Sequence, residues 1–289
     1  MPDNFKTDAL FVVDLPCMPH GESVRFHYAD MADMPLHARK PDSAWDDTSW
    51  DEDIKFRGGT MAQAISLARH GWLEGAEQAV ALHAGVQATI PTRRKLARYD
   101  VAGAVPSIPR ALAGNPMGMR RMTARETAQR PIISLVCDIC VSSSFPAEDM
   151  LRHAAAVAAV VDLLEESGFR CAVLVVARVT SRVNSEIVVC LKQPEQPLNL
   201  SVLAYGLGHP SMFRRLMFSV WQSEKDCEPL GYGLGSVHRL ESAPELGTYT
   251  IGAASRAGDG VKAPKRFRHI LRELELQGCP GIPEELQAA

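Results

Sequence analysis

The sequence lacks the segments that would export the chain or anchor it in a membrane. Its N-terminus has no positively charged start and no small-residue cleavage site, which a secretory signal would need. No apolar stretch approaches the roughly 20 residues that cross a bilayer, because Asp162, Glu165 and Glu166 interrupt the longest one near its end. We therefore expect a soluble protein without a membrane partner.

The familiar catalytic signatures are absent as well. There is no phosphate-binding Walker loop, no Gly-x-Ser-x-Gly elbow for a nucleophilic serine and no His-Glu-x-x-His zinc helix. The 9 histidines are scattered singly. The two most suggestive, His153 and His209, are predicted on a helix surface and at a helix start, with no nucleophile beside them. The sequence thus predicts a protein that is not an enzyme, and leaves open a hydrolase whose residues meet only in space.

Aromatic residues and net charge are both low. Phe, Trp and Tyr make up 6% of the chain, and the formal net charge is −3 with 22% charged residues. Electrostatics over the whole molecule therefore favours neither nucleic acid nor an anionic membrane surface as a partner. A partner of either kind would need a local patch of charge.

One segment of the chain is locally basic. Between Arg93 and Arg130 the basic residues are opposed only by Asp100 and Glu126, and prolines and glycines interrupt the segment. The candidate phosphate contacts in it are Arg93, Arg94, Lys95, Arg98, Arg120, Arg121 and Arg125. Aromatic residues that would stack on bases are nearly missing there. A solvated surface is therefore the favoured interpretation, and nucleic-acid binding is the alternative hypothesis.

The 7 cysteines are an odd number, which does not suit a framework of disulfides. Cys137, Cys140, Cys171 and Cys190 lie in apolar, strand-like runs, where a thiol behaves as a small hydrophobe. Cys137 and Cys140 have the Cys-x-x-Cys spacing, but no second pair lies nearby to complete a zinc site, so two free thiols are expected. Free thiols favour the reducing cytoplasm.

Residues 1–130 are predicted to form a mainly helical and loop-rich region. Residues 1–57 contain one strand-like run and an acidic segment with Trp45 and Trp50, which we expect to dock on the surface and to add little core. Thr60 is a plausible N-cap of a first helix, and a second helix is expected over 76–83. We place the domain boundary between residues 130 and 131.

Residues 131–289 alternate between strand and helix patterns. A continuous apolar run predicts a central strand, an amphipathic helix follows, and a second strand begins soon after Gly168, which is the order of a parallel crossover. The predicted elements are a strand over 131–141, a helix from Pro146, strands over 171–179 and 185–191, two helices after Asn199 and Pro210, a strand over 249–253 and a helix over 265–277. The third strand is expected to form an antiparallel hairpin with the second at the sheet edge. This pattern predicts a three-layer α/β/α sandwich with a mostly parallel sheet.

The loop after the first central strand reads Asp138-Ile139-Cys140-Val141-Ser142-Ser143-Ser144. It resembles the Asp-x-Ser-x-Ser metal-ion-dependent adhesion motif of von Willebrand A-type domains, with Cys140 in the place of the middle serine. The resemblance covers residues 131–277 and implies the same order of strands and helices. It also implies Mg²⁺ or Ca²⁺ bound by Asp138, Ser142 and, from a later loop, Asp259.

The chemistry of this loop departs from the motif at one ligand. The thiol of Cys140 is a soft ligand where the motif has a hard hydroxyl, which suits neither Mg²⁺ nor Ca²⁺. The favoured interpretation is therefore structural, with Asp138 bracing a neighbouring turn and the serines leading into the helix. On this interpretation the protein has no cofactor.

The whole chain also resembles proteins of phages and integrated mobile elements, in segments such as 71–75 and 100–117. Because no catalytic signature is present, we expect a non-enzymatic protein-interaction or assembly factor in the cytoplasm. In this hypothesis the von Willebrand A-like domain presents the loop from Asp138 to Ser144, or an adjacent helix, to a protein partner.

Overall fold

The computed structural model describes residues 10–12, 23–37, 55–87, 99–101, 105–106, 110, 116–117, 119–120, 131–142, 145–180, 184–223, 236–237, 246–253 and 263–282. In chain order the strands are β1 (Leu10–Val12), β2 (Ser23–Tyr28), β3 (Tyr99–Asp100), β4 (Val105–Pro106), β5 (Met119–Arg120), β6 (Ile132–Asp138), β7 (Arg170–Thr180), β8 (Asn184–Lys192), β9 (Ser236–Val237) and β10 (Tyr249–Ile251). The helices are α1 (Met34–His37), α2 (Met61–His70), α3 (Leu73–Gln87), α4 (Ala147–Glu166), α5 (Leu200–Gly208), α6 (Phe218–Ser223) and α7 (Ala263–Leu276), with a 3₁₀ turn over Met31–Asp33 and a π-helical segment over Met212–Met217.

The main sheet is mixed and contains seven strands in the order β1-β2-β8-β7-β6-β10, with β9 paired to β7. β6 runs parallel to β7 and to β10, and β2 runs parallel to β8. The β1–β2, β7–β8 and β7–β9 pairs are antiparallel. β3, β4 and β5 form a separate small antiparallel sheet. The predicted α/β fold class is confirmed.

The predicted parallel crossover consists of β6, α4 and β7. α4 starts after Pro146, and its first turn carries Glu148 and Asp149 beside the positive end of the helix dipole. Gly168 follows the helix with a φ of 102°, a left-handed conformation that ends the helix and that glycine adopts without strain. The chain then enters β7 at once, as the sequence predicts.

One face of the sheet carries the main core. Leu135, Val175 and Val189 come from three neighbouring strands and belong to the same buried cluster as residues of α4, α5 and α7. α3 packs on the outer side of these helices, where Ala79 meets Leu151 of α4 and Ala204 of α5. The helices that contact this core therefore lie in two layers over the same face of the sheet.

Two expectations about the periphery of the sheet are wrong. β7 and β8 do form the predicted antiparallel hairpin, but β8 is not at the edge, because β2 pairs with its other side and β1 follows. Residues 1–57 also contribute core, since Phe26 and Tyr28 of β2 are 4% and 2% exposed in the main cluster. Residues on both sides of position 130 thus share one core. The segment with Trp45 and Trp50 lies outside the described residues.

In the described part of the chain, no helix combines the length and the apolar character that crossing a bilayer requires.

The opposite face of the sheet contains a buried row of charges. Glu186 of β8 is 0% exposed and lies opposite both Arg178 of β7 and Arg25 of β2 in the strand register. Nε of Arg178 donates to Oε1 of Glu186 at 2.6 Å, and Nε of Arg25 donates to Oε2. Burying a charge without a counter-charge costs free energy of folding. The Glu186 carboxylate therefore stabilises the fold by pairing with Arg178 and Arg25.

We predict that Glu186→Gln lowers the free energy of unfolding by about 3–5 kcal/mol, because the substitution breaks the buried ion pair between Arg178 and Glu186. Urea unfolding followed by circular dichroism measures this change. The matched control is Glu195→Gln, which removes the exposed partner of Arg170 and should change the free energy of unfolding by less than about 0.5 kcal/mol. Equal effects of the two substitutions would contradict the assignment.

Candidate functional site

The loop after β6 is held together by its own polar groups. Asp138 is 2% exposed, and its Oδ1 accepts the backbone N–H of Cys140 at 2.8 Å. The Cys140 thiol lies 3.5 Å from the carbonyl oxygen of Arg178 and accepts the N–H of Arg178 at 3.3 Å. Asp138 therefore braces the turn, in agreement with the structural interpretation of the sequence.

Arg214 of the π-helical segment holds the other end of this loop. Its Nη2 donates to the carbonyl oxygens of Phe145 at 3.0 Å and of Ser142 at 3.3 Å. Its Nη1 donates to the carbonyl oxygen of Phe56 at 2.9 Å, and the guanidinium lies 4.3 Å from the centre of the Phe56 ring. One side chain thus joins the loop after β6 to the segment before α2.

Two of the three residues that the resemblance assigns to a metal ion, Asp138 and Ser142, lie in the described part of the chain. The Asp138 carboxylate is buried and engaged with Cys140, the Cys140 thiol contacts backbone, and the Ser142 side chain is exposed. No group of three or more His, Cys, Asp or Glu side chains within the described ranges is placed to hold a metal ion. Asp259 lies outside these ranges, so the metal site of the resemblance stays a prediction.

The basic segment is also mostly outside the described residues. This applies to Arg93, Arg94, Lys95, Arg98, Arg121 and Arg125. The backbone of Arg120 lies in β5, where it pairs with β3 and β4. Nucleic-acid binding by this segment stays a prediction.

A cavity of about 300 Å³ lies between α2, the start of α3 and the residue that follows α5. Its lining residues are Gly58, Gln63, Ser66, Leu67, Trp72, Glu74 and His209. They come from two distant parts of the chain. This volume is at the lower end of the range for ligand sites in proteins.

Two glycines bring the walls of this cavity together. Gly58 has a φ of 77°, and a Cβ added there would lie 2.9 Å from the backbone nitrogen of Ser211 and 3.1 Å from Cε1 of His209. Gly71 has a φ of 76°, and its Cβ would lie 2.4 Å from Oγ of Ser201. Both positions combine a left-handed backbone with a close approach, so only glycine fits them without rearrangement. The cavity wall is therefore built on a fixed backbone.

The start of α2 is fixed by hydrogen bonds as well as by glycine. Thr60 forms the predicted N-cap, and its hydroxyl and backbone exchange hydrogen bonds with Gln63 in a capping box. Nε of Arg215 donates to the carbonyl oxygen of Gly59 at 2.7 Å. The neighbouring arginines of the π-helical segment, Arg214 and Arg215, thus both hold the chain that leads into α2.

His209 is oriented by two hydroxyl groups behind it. Its Nδ1 accepts the N–H of Ser211 at 3.2 Å and lies 2.8 Å from the Ser211 hydroxyl oxygen. That hydroxyl lies 3.2 Å from the Tyr205 hydroxyl, which donates to the carbonyl oxygen of Ala64 at 2.9 Å. Because Nδ1 accepts a backbone N–H, the neutral ring carries its proton on Nε2. Burial lowers the pKa of His209 to about 4, so the ring is neutral at physiological pH.

The histidine and serine do not form a nucleophilic pair that faces the cavity. Ser211 is 0% exposed and lies behind the imidazole ring, so its hydroxyl is closed to a substrate. Its hydrogen bonds instead select the tautomer and the orientation of His209.

Most polar groups that line the cavity have no hydrogen-bond partner in the described part of the chain. Within the described part of the chain, the side chains of Ser66 and Glu74, the indole N–H of Trp72 and Nε2 of His209 make no hydrogen bond or ion pair. Glu74 is the one residue of the lining with a formal charge, and that charge is negative. The arrangement offers one carboxylate, one aromatic surface and three other polar groups to a ligand.

Sequence reasoning singled out His209 but predicted no nucleophile beside it, although Ser211 is two residues away. It missed the cavity itself, because Trp72 and Glu74 carry no pattern that links them to residue 209. The available signals were the glycines at 58, 59 and 71, which flank α2.

We predict that Asp138→Ala lowers the free energy of unfolding by about 1–3 kcal/mol, because the buried N–H of Cys140 loses its acceptor. Asp138→Asn keeps an acceptor oxygen and should recover most of this loss.

Thermal unfolding with EDTA, Mg²⁺ or Ca²⁺ should give one melting temperature for the wild type. A rise in melting temperature with metal that both variants lose would establish an ion site instead.

The burial of His209 predicts a pH dependence of stability. Since the pKa is about 6.5 in the unfolded chain and about 4 in the folded protein, the unfolded state binds more protons between these values. Stability is therefore complete above pH 6.5 and falls as the pH decreases towards 4. His209→Asn keeps an acceptor near Ser211 but does not titrate. Urea unfolding should show the wild type losing about 2 kcal/mol more than this variant between pH 7.5 and 5; equal losses would contradict the assignment.

Comparison with known proteins places most of the chain in one family. No curated protein and no solved structure gives a significant match. A family model described as a domain of unknown function, DUF7192, matches residues 13–278, which include every strand of the main sheet except β1, as well as α2, α3 and both parts of the cavity. The chain belongs to the DUF7192 family.

Proposed function

We propose that the protein is a non-enzymatic protein-interaction or assembly factor that binds a side chain of its partner in the cavity beside His209. The observation that carries this proposal is the set of polar groups on the fixed walls of the cavity that have no hydrogen-bond partner among the described residues. Rigid walls reduce the entropy lost on binding, because the groups are already ordered before the ligand arrives.

The protonation state of His209 favours recognition over acid–base catalysis. Its Nδ1 is occupied by Ser211, and its Nε2 carries a proton, so neither nitrogen accepts a proton from a ligand in the cavity. A pKa of about 4 also makes the ring a poor general acid at neutral pH. The remaining hydroxyl of the lining, Ser66, makes no hydrogen bond to a base among the described residues.

The rim of the cavity supports a polypeptide as the partner. Leu73, between the lining residues Trp72 and Glu74, is 67% exposed, and Val80 on the next turns of α3 is 51% exposed. The two residues are seven positions apart and therefore share one face of the helix. Leu73 thus offers a partner segment an apolar contact beside the polar cavity.

The finer assignments made from the sequence stay proposals of the same kind. The von Willebrand A-like assignment is supported by the order β6, α4, β7 and β8 with its antiparallel hairpin. A cytoplasmic location is supported by the thiols of Cys137, Cys140, Cys171, Cys190 and Cys279, which are all free and buried. The phage or mobile-element origin rests on the sequence segments alone.

Site-specific photo-crosslinking in the native host cells tests the proposed function. A photoreactive residue at Leu73 should capture a defined protein partner, and the same residue at Leu276, an exposed leucine of α7, should not. Ser66→Trp fills the cavity from an exposed position and should strongly reduce capture at Leu73. Capture that is equal at both leucines, or that is unchanged by Ser66→Trp, would refute the proposal.

A further inference from the structure

We propose that the cavity beside His209 recognises a cationic side chain of the partner, arginine above lysine, with Glu74 as the counter-charge and Trp72 as the aromatic surface. This inference rests on the proposed function and adds the chemistry of the ligand. It is carried by three features of the lining residues, namely the charge of Glu74, the placement of Trp72 and the tautomer of His209.

Glu74 differs from the two acids in the first turn of α4. Glu148 and Asp149 in the first turn of α4 are both paired with Arg152 of the same helix. The corresponding positions after Glu74 are Glu77 and Gln78, so α3 supplies no cation to it. Glu74 lines the cavity, makes no ion pair with any residue that the structure describes, and has the acidic Glu77 one turn away. A positive charge from outside is what this arrangement lacks.

Trp72 presents an aromatic surface that is fixed before a ligand arrives. The indole packs directly over Gly75, where an added Cβ would lie 2.0 Å from an indole carbon. The indole also packs against the hydrophobic core and contacts the imidazole of His209 edge-on, with ring centroids 4.6 Å apart. An indole is the best aromatic partner for a cation, and a planar guanidinium also stacks on it. Arginine should therefore bind more tightly than lysine.

His209 offers a hydrogen-bond donor that suits the backbone of a peptide. With Nδ1 held by Ser211 and Cε1 next to Gly58, the polar atom that the ring offers to the cavity is Nε2 with its proton. This donor repels a cation but suits a backbone carbonyl of the segment that carries the cation. The neutral ring also leaves the negative charge of Glu74 uncancelled. The lining therefore matches a basic residue within a polypeptide.

The proposal is tested with the full chain and three small probes. The probes are N-acetyl-arginine amide, N-acetyl-lysine amide and the neutral analogue N-acetyl-citrulline amide. Binding is followed by the NMR resonance of the Trp72 indole N–H, which is assigned among the 4 tryptophans with Trp72→Phe. We expect saturable shifts with the arginine probe in the millimolar range, weaker binding of the lysine probe, and citrulline binding that is weaker by about tenfold.

Two matched substitutions separate the site from general charge effects. Glu74→Gln should weaken binding of the arginine probe about fivefold, whereas Glu275→Gln, which removes an exposed acid of α7, should change it by less than about twofold. Equal binding of arginine and citrulline probes, no saturable shift with the arginine probe, or no effect of Glu74→Gln would overturn the proposal. If crosslinking at Leu73 persisted in that case, the proposed interaction function would be retained and only the cationic ligand would be refuted. If crosslinking at Leu73 failed as well, the interaction function and the cationic ligand would both be refuted.

Discussion

The burial of α4 is the constraint on which the rest of the structure depends. This 20-residue helix is buried on almost every side, because the sheet lies against one side and α3 and α5 against another. Such close packing requires small side chains, and α4 supplies Ala154, Ala155, Ala156, Ala158 and Ala159. Leu151 and Ala155 meet Ala79 of α3 and Ala204 of α5. Without α3, this side of α4 would be exposed. The core of residues 131–289 therefore needs a helix from residues 1–130.

The position of α4 also fixes the position of the cavity. α5 approaches α4 so closely that a Cβ on Gly208 would lie 3.1 Å from Cα of Leu151. His209 follows Gly208 directly, so the packing of α5 on α4 places the imidazole at the end of α5. At the other end of α5, the N–H of Trp72 donates to the carbonyl oxygen of Ser201 at 3.0 Å. Both aromatic residues of the cavity are therefore positioned by the same helix.

The elements that are local in sequence could be predicted, and the long-range ones could not. The crossover from β6 through α4 to β7 follows from hydrophobic periodicity and from Gly168, because each signal lies within the element it defines. β2 carries the alternating pattern of a strand, with Val24, Phe26 and Tyr28 apolar, but the pattern is short. Its parallel partner β8 lies about 160 positions further along the chain, so the sequence does not show the pairing. The start of α3 was placed at residue 76 rather than Leu73, since Gly75 indicated a break. In the structure Gly75 instead makes room for Trp72.

The same distinction explains the candidate site. The loop after β6 is contiguous, so its resemblance to a metal motif was visible in the sequence, whereas the cavity joins residues 58–74 to residue 209. The structure connects the two through Arg214, which binds the carbonyl oxygens of Phe56 and Phe145 together. Phe56 is two residues before Gly58, where the chain turns against His209. Asp138 braces the start of the loop after β6, and Arg214 holds its far end. Because Arg214 also binds Phe56, the same side chain fixes both this loop and the chain that leads to the cavity wall. In this fold the loop that resembles an ion site therefore supports the wall of a cavity formed by other residues.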